Sequence, residues 1–336
     1  MKTFGLPREE RVQARTPSSQ FDRTSEEMEE ERIHAWAPSS PLPRYSGGEG
    51  SRVRGRPRLG ALALLLALAA CATDFVPESY LDGLRVLAVV ASPTELGPGE
   101  SVTLTPAVYA APADPLDDTK TTWTFCPFTL GSTGSFACAL PACEVALTPA
   151  ADGTVTADPT ALALDCLSKL AASPPPGFEP GVVPASIDTA FRARFETQGG
   201  EVREALKRIT LFTQAAPSPR NLPPVIQAVE LGGAPAAGGA TLAAGGKLRV
   251  TVRVDPASIE TYQDGNGRSV TESVTVWFYS TAGRLDDVRG SAPVAETDLV
   301  AKELRDGDTQ ARLWVVARDL RGGEAVAGPF TVSLAR

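Results

Sequence analysis

From residue 84 onward, apolar and polar side chains alternate with a period of two. In 101–109, Val102, Leu104, Pro106 and Val108 share one side against Ser101, Thr103 and Thr105; in 247–254, Leu248, Val250, Val252 and Val254 oppose Arg249, Thr251 and Arg253. That period belongs to a strand with one face in water. Each stretch follows a glycine turn, Leu96-Gly97-Pro98-Gly99 in one case and Ala243-Ala244-Gly245-Gly246 in the other, and each is preceded by another apolar strand candidate, 84–91 and 225–231. The parallel is a weak internal repeat, one copy per domain.

Further strand candidates are 121–125, 189–195, 273–279, 298–304, 310–319 and 330–334. The stretch 202–212 fits two periods, because Val202, Leu206 and Ile209 also fall on one helical face. Short strands separated by glycine turns predict an all-β chain of two tandem antiparallel β-sandwich domains. Four prolines in 215–224 fix φ and remove backbone donors, so neither helix nor central strand runs through them. The predicted organisation is a first sandwich over 84–214, a stiff linker over 215–223 that holds a preferred angle, and a second sandwich over 224–336. The second region resembles bacterial immunoglobulin-like or PKD-like domains in Val274-Thr275-Val276-Trp277-Phe278-Tyr279 and in the turn Val315-Val316-Ala317-Arg318-Asp319-Leu320-Arg321-Gly322-Gly323 with its return strand to Leu334. The resemblance puts Trp277 where such folds carry a core tryptophan.

Ahead of the strands the pattern changes. Arg52, Arg54, Arg56 and Arg58 precede an unbroken apolar run, 59–70, which is shorter than the roughly 20 residues a membrane-spanning helix needs. This is the layout of an export signal, 52–70. Its end, Leu68-Ala69-Ala70-Cys71, resembles the lipobox of bacterial lipoproteins. The resemblance implies cleavage before Cys71, diacylglycerol on its thiol, a lipidated tether over 71–83 and a lasting membrane anchor, since each buried methylene contributes roughly 0.8 kcal/mol. With Ala72 in place of an aspartate after the cysteine, the resemblance implies the outer membrane, on either its periplasmic or its surface side. Residues 1–51, rich in Arg, Glu, Ser and Pro, cannot form a core and are expected to be a disordered upstream extension; a misplaced start, with Val53 or a codon close to it as the true initiator, accounts for them.

Composition then narrows the chemistry. The one histidine, His34, precedes the cleavage site, so the exported part lacks the imidazole that common nucleophilic triads and histidine metal sites require. Eleven basic and nine acidic residues fall in 1–70; from a whole-chain charge of −8 the remainder therefore carries −10, which discourages nucleic-acid binding. Besides Cys71, the even set Cys126, Cys138, Cys143 and Cys166 predicts two disulfides of open connectivity that staple weakly buried loops; a four-thiolate zinc site would lack any C-x-x-C pair. Asp114, Asp117 and Asp118 could serve a carboxylate-only hydrolase but read as a solvated loop. Asp264-Gly265-Asn266-Gly267 reads as a turn, lacking the closing glutamate of a calcium loop. Trp123, Trp277 and Trp314 are expected in sandwich cores and, as the alternative, in an exposed sugar-stacking row.

The expectation is a lipid-anchored, non-enzymatic envelope protein, a binding or scaffold module with no catalytic residues, no metal and no cofactor beyond the lipid on Cys71. Its partners are the membrane and an envelope protein or polysaccharide. It resembles the Ig-like lipoproteins common in GC-rich Gram-negative bacteria. The alternative is a surface adhesin or carbohydrate-binding accessory protein.

Overall fold

The alternating stretches become strands, and each packs its apolar parity inward. The structure, a computed structural model, describes residues 77–131, 135–172, 185–216, 220–263, 267–302, 304–305 and 307–335. The signal segment, Leu68, Ala69, Ala70, Cys71 and the tether up to residue 76 lie outside the described residues, as do Asp264, Gly265 and Asn266.

The first half contains β1 (Arg85–Ser92), β2 (Glu95–Leu96), β3 (Val102–Tyr109), β4 (Thr122–Cys126), β5 (Val145–Leu147), β6 (Val155–Ala157), helix α1 (Pro159–Ala172), β7 (Ser186–Glu196) and β8 (Val202–Phe212). A three-stranded sheet in the order β1-β3-β6 faces a five-stranded sheet in the order β2-β8-β7-β4-β5. Val102, Leu104 and Val155 meet Trp123, Phe125, Phe191, Phe195 and Ile209 in the core between them. Trp123 lies edge-on to Phe195, with ring centroids 6.2 Å apart.

The second half contains β9 (Ile226–Leu231), β10 (Ala234–Pro235), β11 (Ala240–Ala243), β12 (Lys247–Val254), β13 (Thr261–Gln263), β14 (Ser269–Thr271), β15 (Thr275–Ser280), β16 (Arg284–Leu285), β17 (Arg289–Ser291), β18 (Val294–Val300), β19 (Gln310–Arg318) and β20 (Glu324–Ala335). Two five-stranded sheets, β10-β9-β12-β18-β16 and β11-β20-β19-β15-β17, enclose Val250, Val252, Val276, Phe278, Leu299, Leu313 and Val315. Strands β13 and β14 form a separate hairpin. Both halves belong to one compact unit, 74–336.

The repeat read from the glycine turns has a topological meaning. In each half the opening strand pairs antiparallel with the strand after the turn, β1 with β3 and β9 with β12. A short strand just before the turn crosses to the other sheet and pairs parallel with the last strand: Glu95 and Leu96 oppose Thr210 and Leu211, while Ala240–Ala243 oppose Val332–Ala335. Each glycine turn thus carries the chain from one sheet to the other.

One element left open is resolved and two differ from the expectations. The ambiguous stretch is a strand: all eleven residues of β8 pair in register with β7, a ladder that a helix would forfeit. The segment expected over 298–304 is β18, four residues earlier, because its ladder with β12 ends where Lys247 meets Val300 at the Gly245-Gly246 turn. The cysteine-bearing stretch, expected to be loop, contains α1. Asp158 caps it, its carboxylate accepting from the Thr160 and Ala161 N–H groups at 2.9 and 3.1 Å, and Pro159 stands at the first helical position.

Of the three connectivities left open, the structure has Cys126–Cys138 and Cys143–Cys166, with Cα atoms 5.6 and 5.2 Å apart. The second bond ties α1 to the turn at Pro141–Cys143, where Phe128 and Leu140 pack around the sulfurs in a satellite cluster separate from the main core.

Candidate functional site at the joint between the sandwiches

The outer faces of two sheets meet. In β15 and β19 the inward parity is Val276 and Phe278, Leu313 and Val315; the opposite parity is also apolar, Trp277 and Tyr279, Trp314 and Val316. A strand apolar on both parities has two faces to bury. The outer set packs against Leu87, Ala88 and Tyr109 of the first sandwich, and against Leu81 just before it, in a third cluster. Tyr109 meets Trp314 edge-on, with centroids 5.5 Å apart. Burial raises the Tyr109 and Tyr279 hydroxyls above their ordinary range. This corrects the expected place of two tryptophans: Trp123 is in a core, whereas Trp277 and Trp314 stand half-buried at the joint, because Phe278 already fills the interior beside them.

Polar side chains close the edge of this apolar patch. Strand β1 is an edge strand, and Arg318 donates to Leu87 O while Glu324 accepts from Val89 N–H at 3.2 Å. Arg318 and Glu324, opposite each other on β19 and β20, are themselves paired at 2.8 Å. Together they present one donor and one acceptor to β1, as a neighbouring strand would, and so block its edge against further pairing. Lys207, 6 % exposed, reaches from β8 to Glu324 at 2.9 Å and to Gly322 O at 2.6 Å.

A second cluster surrounds the turn between β19 and β20. Asp319 folds the turn by accepting from the N–H groups of Arg321 and Gly323, each at 2.7 Å. This aims Arg321 between the halves, where it pairs with Glu95 at 2.8 Å and Glu260 at 3.1 Å and lies over the Tyr262 ring. Asn221 is held on both sides: its N–H donates to Glu95 at 2.9 Å, its carbonyl accepts from the Thr94 hydroxyl at 2.8 Å, and its amide reaches Asp319 at 3.3 Å. Beside them Glu272 is 6 % exposed, and its Oε1 has no hydrogen-bond partner among the described residues. Burial first, then the nearby Asp319 carboxylate, push Glu272 up from 4.5 to about 7.

The chain is fastened at a further point. Within the segment read as a tether, Leu81 N–H donates to Ser280 O and Ser280 N–H donates to Ser79 O, each at 2.9 Å, so 79–81 is strapped to the end of β15. The two halves leave a cleft of about 760 Å³ between β1, β8 and the turn, lined by charged groups including Asp188, Glu204, Arg208 and Arg318, with Phe136 and the 79 % exposed Leu320 at its rim.

Two of the acids singled out in the sequence, Asp114 and Asp117, have local partners at turns. Asp114 clamps the β7–β8 hairpin, accepting from Thr197 Oγ1 and Gly199 N–H, each at 2.6 Å, and Asp117 caps the short turn at Asp118–Lys120. The four cysteines are consumed by disulfides, and the described residues contain no group of three or more His, Cys, Asp or Glu disposed to hold a metal. No described helix is long and apolar enough to cross a membrane. Sequence reasoning missed the joint residues Lys207, Glu272, Arg318, Arg321 and Glu324. The double-sided apolar strands were the available signal, whereas nothing in the pattern marks Glu272.

No protein-family profile and no curated protein matches the chain. Among solved structures, the fibronectin(III)-like modules of CbhA from Clostridium thermocellum align over 75% of this chain and 93% of theirs, at 13% identity and a TM-score of 0.22. The D00-D0 domain of intimin aligns over 74% and 98%, at 12% identity and 0.21. The SGBP-B protein of Bacteroides ovatus, solved with a mixed-linkage heptasaccharide, aligns over 76% and 48%, at 12% identity and 0.19.

Proposed function

We propose that the chain is a lipid-anchored, non-enzymatic protein of the cell envelope whose two sandwiches, braced against each other, serve as a binding or scaffold module. The observation that carries this reading is the joint: an apolar patch around Val316 and Trp314, closed at its edge by Lys207, Glu324 and Arg318, with Arg321 pairing across the halves beside it. A chain that must present a surface at a fixed angle needs such a brace, since flexibly linked domains spread their surfaces over many orientations. The two disulfides fit an oxidising compartment outside the cytoplasm. The lipobox-like Leu68-Ala69-Ala70-Cys71 supplies the anchor in this reading. Replacing the acceptor thiol, Cys71→Ser, is expected to remove the acyl mass from the N-terminal peptide and move the protein out of the membrane fraction. An unacylated wild-type peptide that still begins upstream of Cys71 overturns the anchor.

The cleft beside Leu320 and Phe136 favours a second reading, in which the protein is a surface adhesin or carbohydrate-binding accessory. In that reading the cleft, and not the tryptophans at the joint, takes the ligand. Intact cells shaved with protease lose the protein if it is displayed outward and keep it if it faces the periplasm.

A further inference from the structure

We propose that Glu272 is a proton-sensitive latch on the joint between the two sandwiches, holding it closed when its carboxyl is neutral and loosening it when ionised. The proposal stands on the joint alone and does not depend on lipid at Cys71. Glu272 follows β14, where Glu272 N–H donates to Glu260 O at 2.8 Å and the side chain turns inward to 6 % exposure. The charged groups that face it are Glu260 from the segment before β13 and Asp319 and Arg321 from the turn between β19 and β20. Beyond Arg321 lies Glu95 of the first sandwich.

With Glu272 neutral, the carboxylates of Glu95 and Glu260 hold the Arg321 guanidinium, and a third, Asp319, accepts from the Arg321 backbone N–H. An ionised Glu272 adds a fourth negative charge with no cation of its own: its Oε1 is buried without a partner among the described residues, and its Oε2 receives one long contact, 3.5 Å, from Glu260 N–H. A buried unpaired carboxylate is costly, and displacing the turn that carries Asp319 removes the like charge that opposes it. That turn also holds Glu95 and Asn221, so its movement unfastens the linker and the first sandwich together.

Opening the joint returns Glu272 toward its ordinary value of 4.5, whereas in the closed joint it is raised to about 7. The closed form therefore binds the proton more tightly; its advantage is complete below about 4.5 and is lost as pH rises through about 7.

Trp277 and Trp314 lie at the joint and report its hydration. In the full chain, tryptophan emission is expected to move to the red as pH is raised through about 7, while far-UV circular dichroism stays constant. Glu272→Gln, which keeps the shape and cannot ionise, is expected to hold the blue emission throughout. Asp319→Asn keeps an amide oxygen for the Arg321 and Gly323 N–H groups but removes the like charge that raises Glu272 most, and is expected to lower the midpoint. A flat wild-type titration overturns the proposal. So does a Glu272→Gln curve that follows the wild type, or an Asp319→Asn midpoint that does not move.

Discussion

Single side chains at the joint act against the grain of the pattern that positions them. Lys207 shares the strand parity of Ala205, Ile209 and Leu211, all packed on the first core, so its place in the sequence reads as an interruption of an apolar face. Its amine resolves the conflict by leaving the core for Glu324 and Gly322 O. Lys207→Met should keep the stem and lose the charge. Glu324 then retains Arg318 as its ion-pair partner, so the expected loss, about 2–3 kcal/mol in urea unfolding, is smaller than for a buried pair with no second cation. In a double-mutant cycle the loss should be non-additive with Glu324→Gln. The same conflict hid the residue from sequence reasoning: a lysine among alternating apolar positions weakens the strand reading of 202–212 and leaves Val202, Leu206 and Ile209 to suggest a helix. Asp158-Pro159 was legible in principle, since a capping acid followed by proline begins many helices, but the alanine-rich stretch after it, with its one cysteine, carries no clear apolar stripe.

Among elements, the alternating strands β3, β12 and β7 were readable because each has one wet face, and the glycine turns located the crossing between sheets. Strands β1, β15 and β19 carried more than was read from them: Val86-Leu87-Ala88-Val89-Val90 and Leu313-Trp314-Val315-Val316 are apolar on both parities, which announces a second buried face. Placing Trp277 by resemblance, and Trp314 by a core's demand for a large side chain, put both inside. Disulfide pairing was beyond reach, because it depends on which loops the sheets bring together. Strand β20 is irregular. Register shifts between Leu313 and Val315, and Gly328, at φ +118°, lies opposite Trp314. A Cβ at this position would stand 2.6 Å from Leu313 O and 3.1 Å from Trp314 Cα. Gly328→Ala is therefore expected to cost about 1–3 kcal/mol in thermal unfolding. It should also displace Trp314 from Tyr109, seen as a change in near-UV circular dichroism.

For the molecule as a whole, the joint decides whether two sandwiches behave as two bodies or one. Val316 is wholly buried at its centre. Val316→Asp places a charge there with no partner, and separation of the halves is the least costly response. Calorimetry should then resolve two transitions where the wild type shows one, and small-angle scattering should report a larger radius of gyration. Chain path adds to this coupling. The chain touches the second sandwich at Ser79–Leu81, builds the whole first sandwich, and returns through Asn221. Tension entering from the N-terminal side consequently meets β15 before it reaches β1. A single molecule stretched from its two ends should give a short, early extension as the strap peels away, ahead of the long releases from either sandwich. The strap thus acts as a mechanical fuse, sparing the first sandwich from small tugs.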